Sequence, residues 1–119
     1  MRRVIIESPY AGDVETHKTY ARRCIRDSLQ RGEAPIASHL LYTQPGVLDD
    51  NIPEEREQRI SAGLAWIDVA HAVVFYRDYG VSKGMAGALD AAMTQRKNGY
   101  LNLQPFLDIE ERTIGRNPT

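Results

Sequence analysis

The sequence predicts an α/β protein, a single three-layer Rossmann-like domain with a short, mostly parallel sheet of four or five strands. Two observations predict it. The runs around Val4 to Ile6 and Ala72 to Tyr76 are apolar without alternation, the pattern of strands covered on both faces and so of parallel sheets. Segments of helical spacing lie between and after them, and the resulting order β-α-β-loop-α-β-α-β builds such a sheet through right-handed crossovers.

Arg3 to Ser8 is the first strand, β-branched and closed by Pro9. From about Asp13 to Arg31, Ala21, Cys24, Ile25, Ser28 and Leu29 recur at helical spacing, and Gly32 supplies a stop. Ala34 to Ser38 forms a second short strand, with Pro35 tolerable near its start. His39 to Asn51 has no clear period and contains Pro45, Gly46 and two aspartates, so it reads as a loop. Pro53, Glu54 and Glu55 suit a helix start, where a missing N–H is harmless and negative charge meets the positive dipole end. Ile60, Gly63, Leu64 and Ile67 mark one face of that helix through about Val69.

AVVFY, residues 72–76, is the most β-like run and is expected as the central strand. After a turn, Ser82 caps a third helix running to about Lys97, where Asn98 and Gly99 end it. Tyr100 to Leu103 is expected as a short last strand. The domain is then residues 1–104, with 105–119 a polar C-terminal arm or tail.

Hydrophobic residues at 42% and charged residues at 26% are ordinary for a soluble domain. A formal net charge of -1 gives no pull toward a nucleic-acid polymer or an anionic membrane, so neither is expected as a partner. Cys24 is the only cysteine, which excludes an intrachain disulfide and fits a reducing, cytoplasmic setting. The first apolar run ends at Glu7, too soon for a signal segment or a membrane span.

Ligands of such sheets bind beyond the carboxyl ends of the strands, which gathers Glu7 to Tyr10, Ser38 to Gln44 and Arg77 to Gly84 at one edge. Gly80, Ser82 and Gly84, with Met85 behind them, resemble an anion cradle at a helix start, although a plain turn with a serine cap has the same local sequence. Glu7 is a carboxylate in an otherwise buried strand, so it either lines a site or pairs with an arginine. Ser8 and Tyr10 follow it with a hydroxyl and an aromatic face. His39 either contacts ligand or is a hydrogen-bonded structural residue, and Tyr42 after it is a further candidate ligand contact. His17, His39 and His71 lack metal spacing, and Asp49, Asp50, Glu54, Glu55 and Glu57 read as a solvated charge run, so no metal and no cofactor is expected. Of Arg22, Arg23 and Arg26 on the first helix one could reach a phosphate, although most arginines of an amphipathic helix face water.

With these pieces in place, the chain resembles the nucleoside 2-deoxyribosyltransferase-like superfamily. Within it the chain is similar to small phage-associated domains of unknown function with a SHLLYTQ, LDDNIPEER, GLAW and GVSKGM pattern, over about residues 3 to 96. The resemblance implies a homodimer or higher homo-oligomer that binds a small-molecule nucleotide, a nucleoside 5′-monophosphate above all, and breaks or exchanges the bond between base and sugar. It implies phosphate on Ser82 and Gly84, and ligand contacts at Ser8 and Tyr10.

The expected sugar nucleophile, a glutamate on the helix after the phosphate loop, is Ala88 here, and a second acidic position falls at Gly63 if Trp66 is the aromatic that follows it. Two readings of a nucleotide site therefore stay open, beside a third in which the chain is a subunit whose C-terminal arm or Trp66 helix serves assembly alone. In one the chain is an N-glycosidase or transferase whose catalytic carboxylate is Glu7 or Asp90. In the other it is a catalytically inactive nucleotide binder, a sponge or sensor suited to phage anti-defence.

Overall fold

The computed structural model describes residues 1–101 and 108–114. In chain order the elements are β1 (Arg3–Glu7), α1 (Val14–Gln30), β2 (Ala34–Ile36), α2 (Ser38–Leu41), α3 (Pro53–Leu64), a 3-10 segment Ala65–Val69, β3 (Ala72–Tyr76), α4 (Lys83–Leu101) and β4 (Asp108–Arg112). The four strands form one sheet in the order β2-β1-β3-β4, with every pair parallel. A parallel sheet of this order has helices on both faces, as the apolar runs of the two inner strands predict.

Each face has its own core. Val4, Ile6, Ala72, Val74 and Tyr76 pack against Tyr20, Ala21 and Cys24 of α1 and against Ala37 and Leu40. Ile5, Val73 and Phe75 point the other way, onto Ile67 and onto Met85, Ala88 and Ala92 of α4. All five residues of β3 are buried, so no alternation survives in its sequence. Burying each such aliphatic side chain contributes about 1.5–3 kcal/mol. The same parity puts Glu7, two residues after Ile5, on the α4 side.

Both edges of the sheet are protected from pairing with other chains. β2 has only three residues, one of them Pro35, which an edge strand tolerates because one of its sides has no hydrogen-bonding neighbour. β4 is DIEER, a strand with charges at four of five positions.

Some expectations are corrected. The loop after β2 starts with the helical turn α2, and the helix before β3 tightens into the 3-10 segment at Ala65. α4 runs past Asn98 and Gly99 to Leu101, so Tyr100 and Leu101 belong to a helix and not to a last strand; Leu103 lies outside the described residues. The fourth strand comes later, in the segment expected to be a tail. There β4 pairs with β3 from Ala72 opposite Asp108 to Tyr76 opposite Arg112, and side chains hold it as well as the ladder. Arg112 donates to Glu33 Oε1 at 2.7 Å and to Glu110 at 2.6 Å, and Arg2 meets Asp108 at 3.1 Å. Ile114 then packs on the α1-side core while its N–H donates to Asp78, the carboxylate that accepts from Tyr20. Among the described residues no helix is long and apolar enough to cross a membrane.

Candidate functional site

Between β1 and β3 the chain order reverses, since β2 lies on one side of β1 and β3 on the other. At such a point the connections leave the sheet in opposite directions and open a crevice beyond the strand ends. A cavity of about 550 Å³ occupies this place. Its floor is Glu7 and Ser8 at the end of β1, with Ser38 and His39 from α2 beside them. One wall is α3, with Arg56, Arg59 and Gly63, and the other is the start of α4, with Ser82, Gly84, Met85 and Ala88. Tyr10 closes one side.

Of the residues singled out in the sequence, Glu7, Ser8, Tyr10, His39, Ser82, Gly84 and Met85 line this cavity. Three others do not. Gly80 closes a tight turn with φ 82, its N–H donating to the carbonyl of Arg77, and only glycine takes that backbone easily. Tyr42 faces Trp66, whose indole N–H donates to its hydroxyl at 2.9 Å. Asp90 is exposed on the opposite side of α4 from Ala88, as two residues of helix, about 200° of rotation, dictate. It is removed as a candidate catalytic acid.

Ser8 and His39 form a buried pair. Ser8 Oγ lies 2.7 Å from His39 Nε2, while His39 Nδ1 has no partner among the described residues. Burial, reinforced by the nearby Arg59 cation, pushes the imidazole down to about 4, so the ring is neutral at physiological pH. A buried N–H without an acceptor is rarer than an acceptor without a donor, so the favoured tautomer carries its proton on Nε2. Nε2 then donates to Ser8 Oγ, and the serine's own proton is left for the cavity.

Glu7 has no hydrogen bond or ion pair among the described residues. Burial raises its carboxyl to about 7, with Arg59 pulling in the opposite direction. The other carboxylate lining the cavity, Asp50, is already paired: Arg59 Nε donates to its Oδ1 at 2.6 Å, and both side chains are nearly buried. The same guanidinium stands 5.7 Å from the centre of the Tyr10 ring and fixes it by a cation–π contact. His17 holds the other end of Tyr10, its Nδ1 lying 3.1 Å from the Tyr10 carbonyl.

Arg56 sits one turn before Arg59, lines the cavity, and has no ion-pair partner among the described residues. The sequence reading missed both arginines. Their spacing of three on a helix, which places them on one face, was the signal that would have found them.

At α4, Ser82 Oγ accepts from the Met85 N–H at 3.2 Å, so the serine caps its own helix as well as lining the cavity. Gly84 and Gly87 each cost a helix about 1 kcal/mol relative to alanine. Packing does not demand either one. Among the described residues, a Cβ at Gly84 would meet only Ser82 Oγ at 3.9 Å, and one at Gly87 would meet nothing within 4 Å. Gly63 is the opposite case, since a Cβ there would run into the Ser38 side chain, with the Ser38 Cβ at 3.1 Å. No acidic side chain fits at residue 63 in this packing. Ala88 is buried against Met85 and Ala92 and presents only a methyl group to the cavity.

A search of curated proteins gives no match. The model of one family, described as a domain of unknown function (DUF7768), matches residues 2–100. That span includes β1 through nearly all of α4 and every residue lining the cavity, and on it the chain belongs to the DUF7768 family.

Proposed function

We propose that the cavity holds a nucleoside 5′-monophosphate and that Glu7 attacks the sugar to break its bond to the base. Glu7 carries this reading: it is the one carboxylate of the cavity wall that is free of an ion pair among the described residues, and its carboxyl is raised to about 7, so a large fraction is ionised and available near neutrality. The start of α4 supplies the Lys83 and Gly84 N–H groups, which have no partner among the described residues, the Ser82 hydroxyl and the clearance at Gly84 for a phosphate, with Arg56 of α3 as a counter-charge. The resemblance to the nucleoside 2-deoxyribosyltransferase-like superfamily supports the same ligand class.

In this mechanism the Glu7 carboxylate forms a bond to C1′ as the glycosidic bond breaks, and the base leaves with the bonding electron pair. Water then hydrolyses the sugar ester and regenerates the carboxylate. Ser8, held by His39, donates its hydroxyl proton to the ligand and orients it. The nucleophile must be ionised, so kcat/KM rises with pH through about 7 to a plateau.

The experiment is to incubate the protein with a panel of ribo- and deoxyribonucleoside 5′-monophosphates and follow free base by chromatography. Base release that Glu7→Gln reduces at least about a hundredfold supports the assignment; release that survives the substitution refutes it. One observation favours a second reading, the methyl group of Ala88 where the resemblance implies a nucleophile. In that reading the cavity binds the nucleotide and returns it intact, so calorimetry shows binding while chromatography shows no base.

A further inference from the structure

A second cavity, of about 720 Å³, adjoins the first. It lies between the chain leading into α1, the segment 43–51 and the start of α3, and it shares Tyr10, Ala11, Asp50 and Arg56 with the site described above. The shared residues form a partition that is built and not incidental. Tyr10 is held at its carbonyl by His17 and at its ring by Arg59, and Asp50 is held by the same arginine. Arg56 is the one member of the partition that carries a charge without an ion-pair partner among the described residues.

Either volume alone is within the range that takes up a whole small ligand, so a mononucleotide fills only one of them. The second cavity also has a different chemistry. Its polar side chains include the Lys18 ammonium and the carboxylates of Asp49 and Glu55, and Tyr10 is its only aromatic among the described residues. The carboxylates repel a terminal phosphate and accept hydrogen bonds from hydroxyl groups, while Lys18 donates to them. Apart from the shared Tyr10, no ring among the described residues is present on which a second base could stack.

We propose that the two cavities form one groove, and that its ligand is a nucleotide carrying a second, hydroxyl-rich unit beyond its phosphates, of the nucleoside diphosphate sugar class. This rests on the reading of the first cavity as a nucleotide site. The nucleoside lies in the first cavity, the diphosphate passes from the start of α4 to Arg56, and the polyol lies against Lys18, Asp49 and Glu55.

The test is calorimetry on the Glu7→Gln protein, with the four ribonucleoside 5′-monophosphates and with ADP-ribose, GDP-mannose, CDP-glucose and UDP-glucose. At least one diphosphate sugar is expected to bind about tenfold or more tightly than the monophosphate of the same base. Lys18→Ala, and Val47→Arg to fill the second cavity from its exposed rim, should each remove that gain while leaving monophosphate affinity within about twofold. Diphosphate sugars that bind no more tightly than monophosphates overturn the proposal, as does a gain that survives both substitutions. If neither class binds, the nucleotide reading itself falls and takes the proposal with it.

Discussion

Glu7 and His39 share one environment and titrate in opposite senses. Both face Arg59, and burial favours the neutral form of each, raising the carboxyl to about 7 and lowering the imidazole to about 4. For Glu7 the folded pKa lies above the unfolded value of 4.5, so folding takes up a proton between the two. Its contribution is fully present below pH 4.5 and is lost as pH rises through 7. For His39 the folded pKa lies below the unfolded 6.5, so its contribution is present above pH 6.5 and lost as pH falls through 4. Each is worth about 3 kcal/mol at 1.36 kcal/mol per pKa unit, and the two slopes oppose each other between pH 4.5 and 6.5. In the native protein they nearly cancel there. Glu7→Gln removes one slope, so stability measured by urea unfolding should fall by about 2–3 kcal/mol from pH 6.5 to 4.5. His39→Gln removes the other, and stability should then rise by a similar amount over the same interval. Parallel profiles for the two variants would show that these groups do not share a buried environment.

At the scale of elements, α3 closes on α2 through the Gly63–Ser38 contact, and this sets the width of the cavity. Gly63→Ala forces either the helix or Ser38 to move and should cost about 1–3 kcal/mol, with part recovered in the double variant carrying Ser38→Gly. Denaturant midpoints check the cycle, and full additivity would mean that the two residues are not in contact. The same helix shows what sequence can and cannot reveal. Its start at Pro53, Glu54 and Glu55 was legible because the chemistry of a helix end is local. The Arg59–Asp50 pair was not, since a loop brings together partners nine residues apart. β1 and β3 were legible because burial on both faces leaves an unbroken apolar run, and from them came the crevice at the strand ends and most of the expected residues that line its cavity. α2 has four residues and so no period to read. In the site, Glu7 stood out as a charge in an apolar strand, whereas the free face of Arg56 depends on which partners the fold denies it.

The molecule as a whole depends on its last described strand more than the sequence indicates. DIEER has neither an apolar run nor alternation, because an edge strand rich in charge is stabilised by distant partners that local pattern does not contain. Glu33 is buried and accepts from Ser28 and from Arg112, 79 residues away, and the Arg112 hydrogen bond is the largest influence holding its carboxyl below the usual range. The family match ends at residue 100 and so excludes this strand. A chain cut there loses the packing of Ile114 and the Arg2–Asp108 contact, and with them two things of larger consequence. The apolar β3 becomes an open edge, and Glu33 is left, among the described residues, with Ser28 and the more distant Arg2 at 3.5 Å. Breaking a buried ion pair on one side costs about 3–5 kcal/mol, while an open apolar edge recruits other chains. Arg112→Leu in the full chain separates the two effects, because it breaks the pair and keeps β4 on the edge. It should lower stability by about 3 kcal/mol without adding concentration-dependent scattering, whereas the chain ending at residue 100 should show both the loss of stability and the scattering. If the shortened chain unfolds as cooperatively as the full one, at the same midpoint and without scattering, the fourth strand is dispensable and the span matched by the family is the whole folding unit.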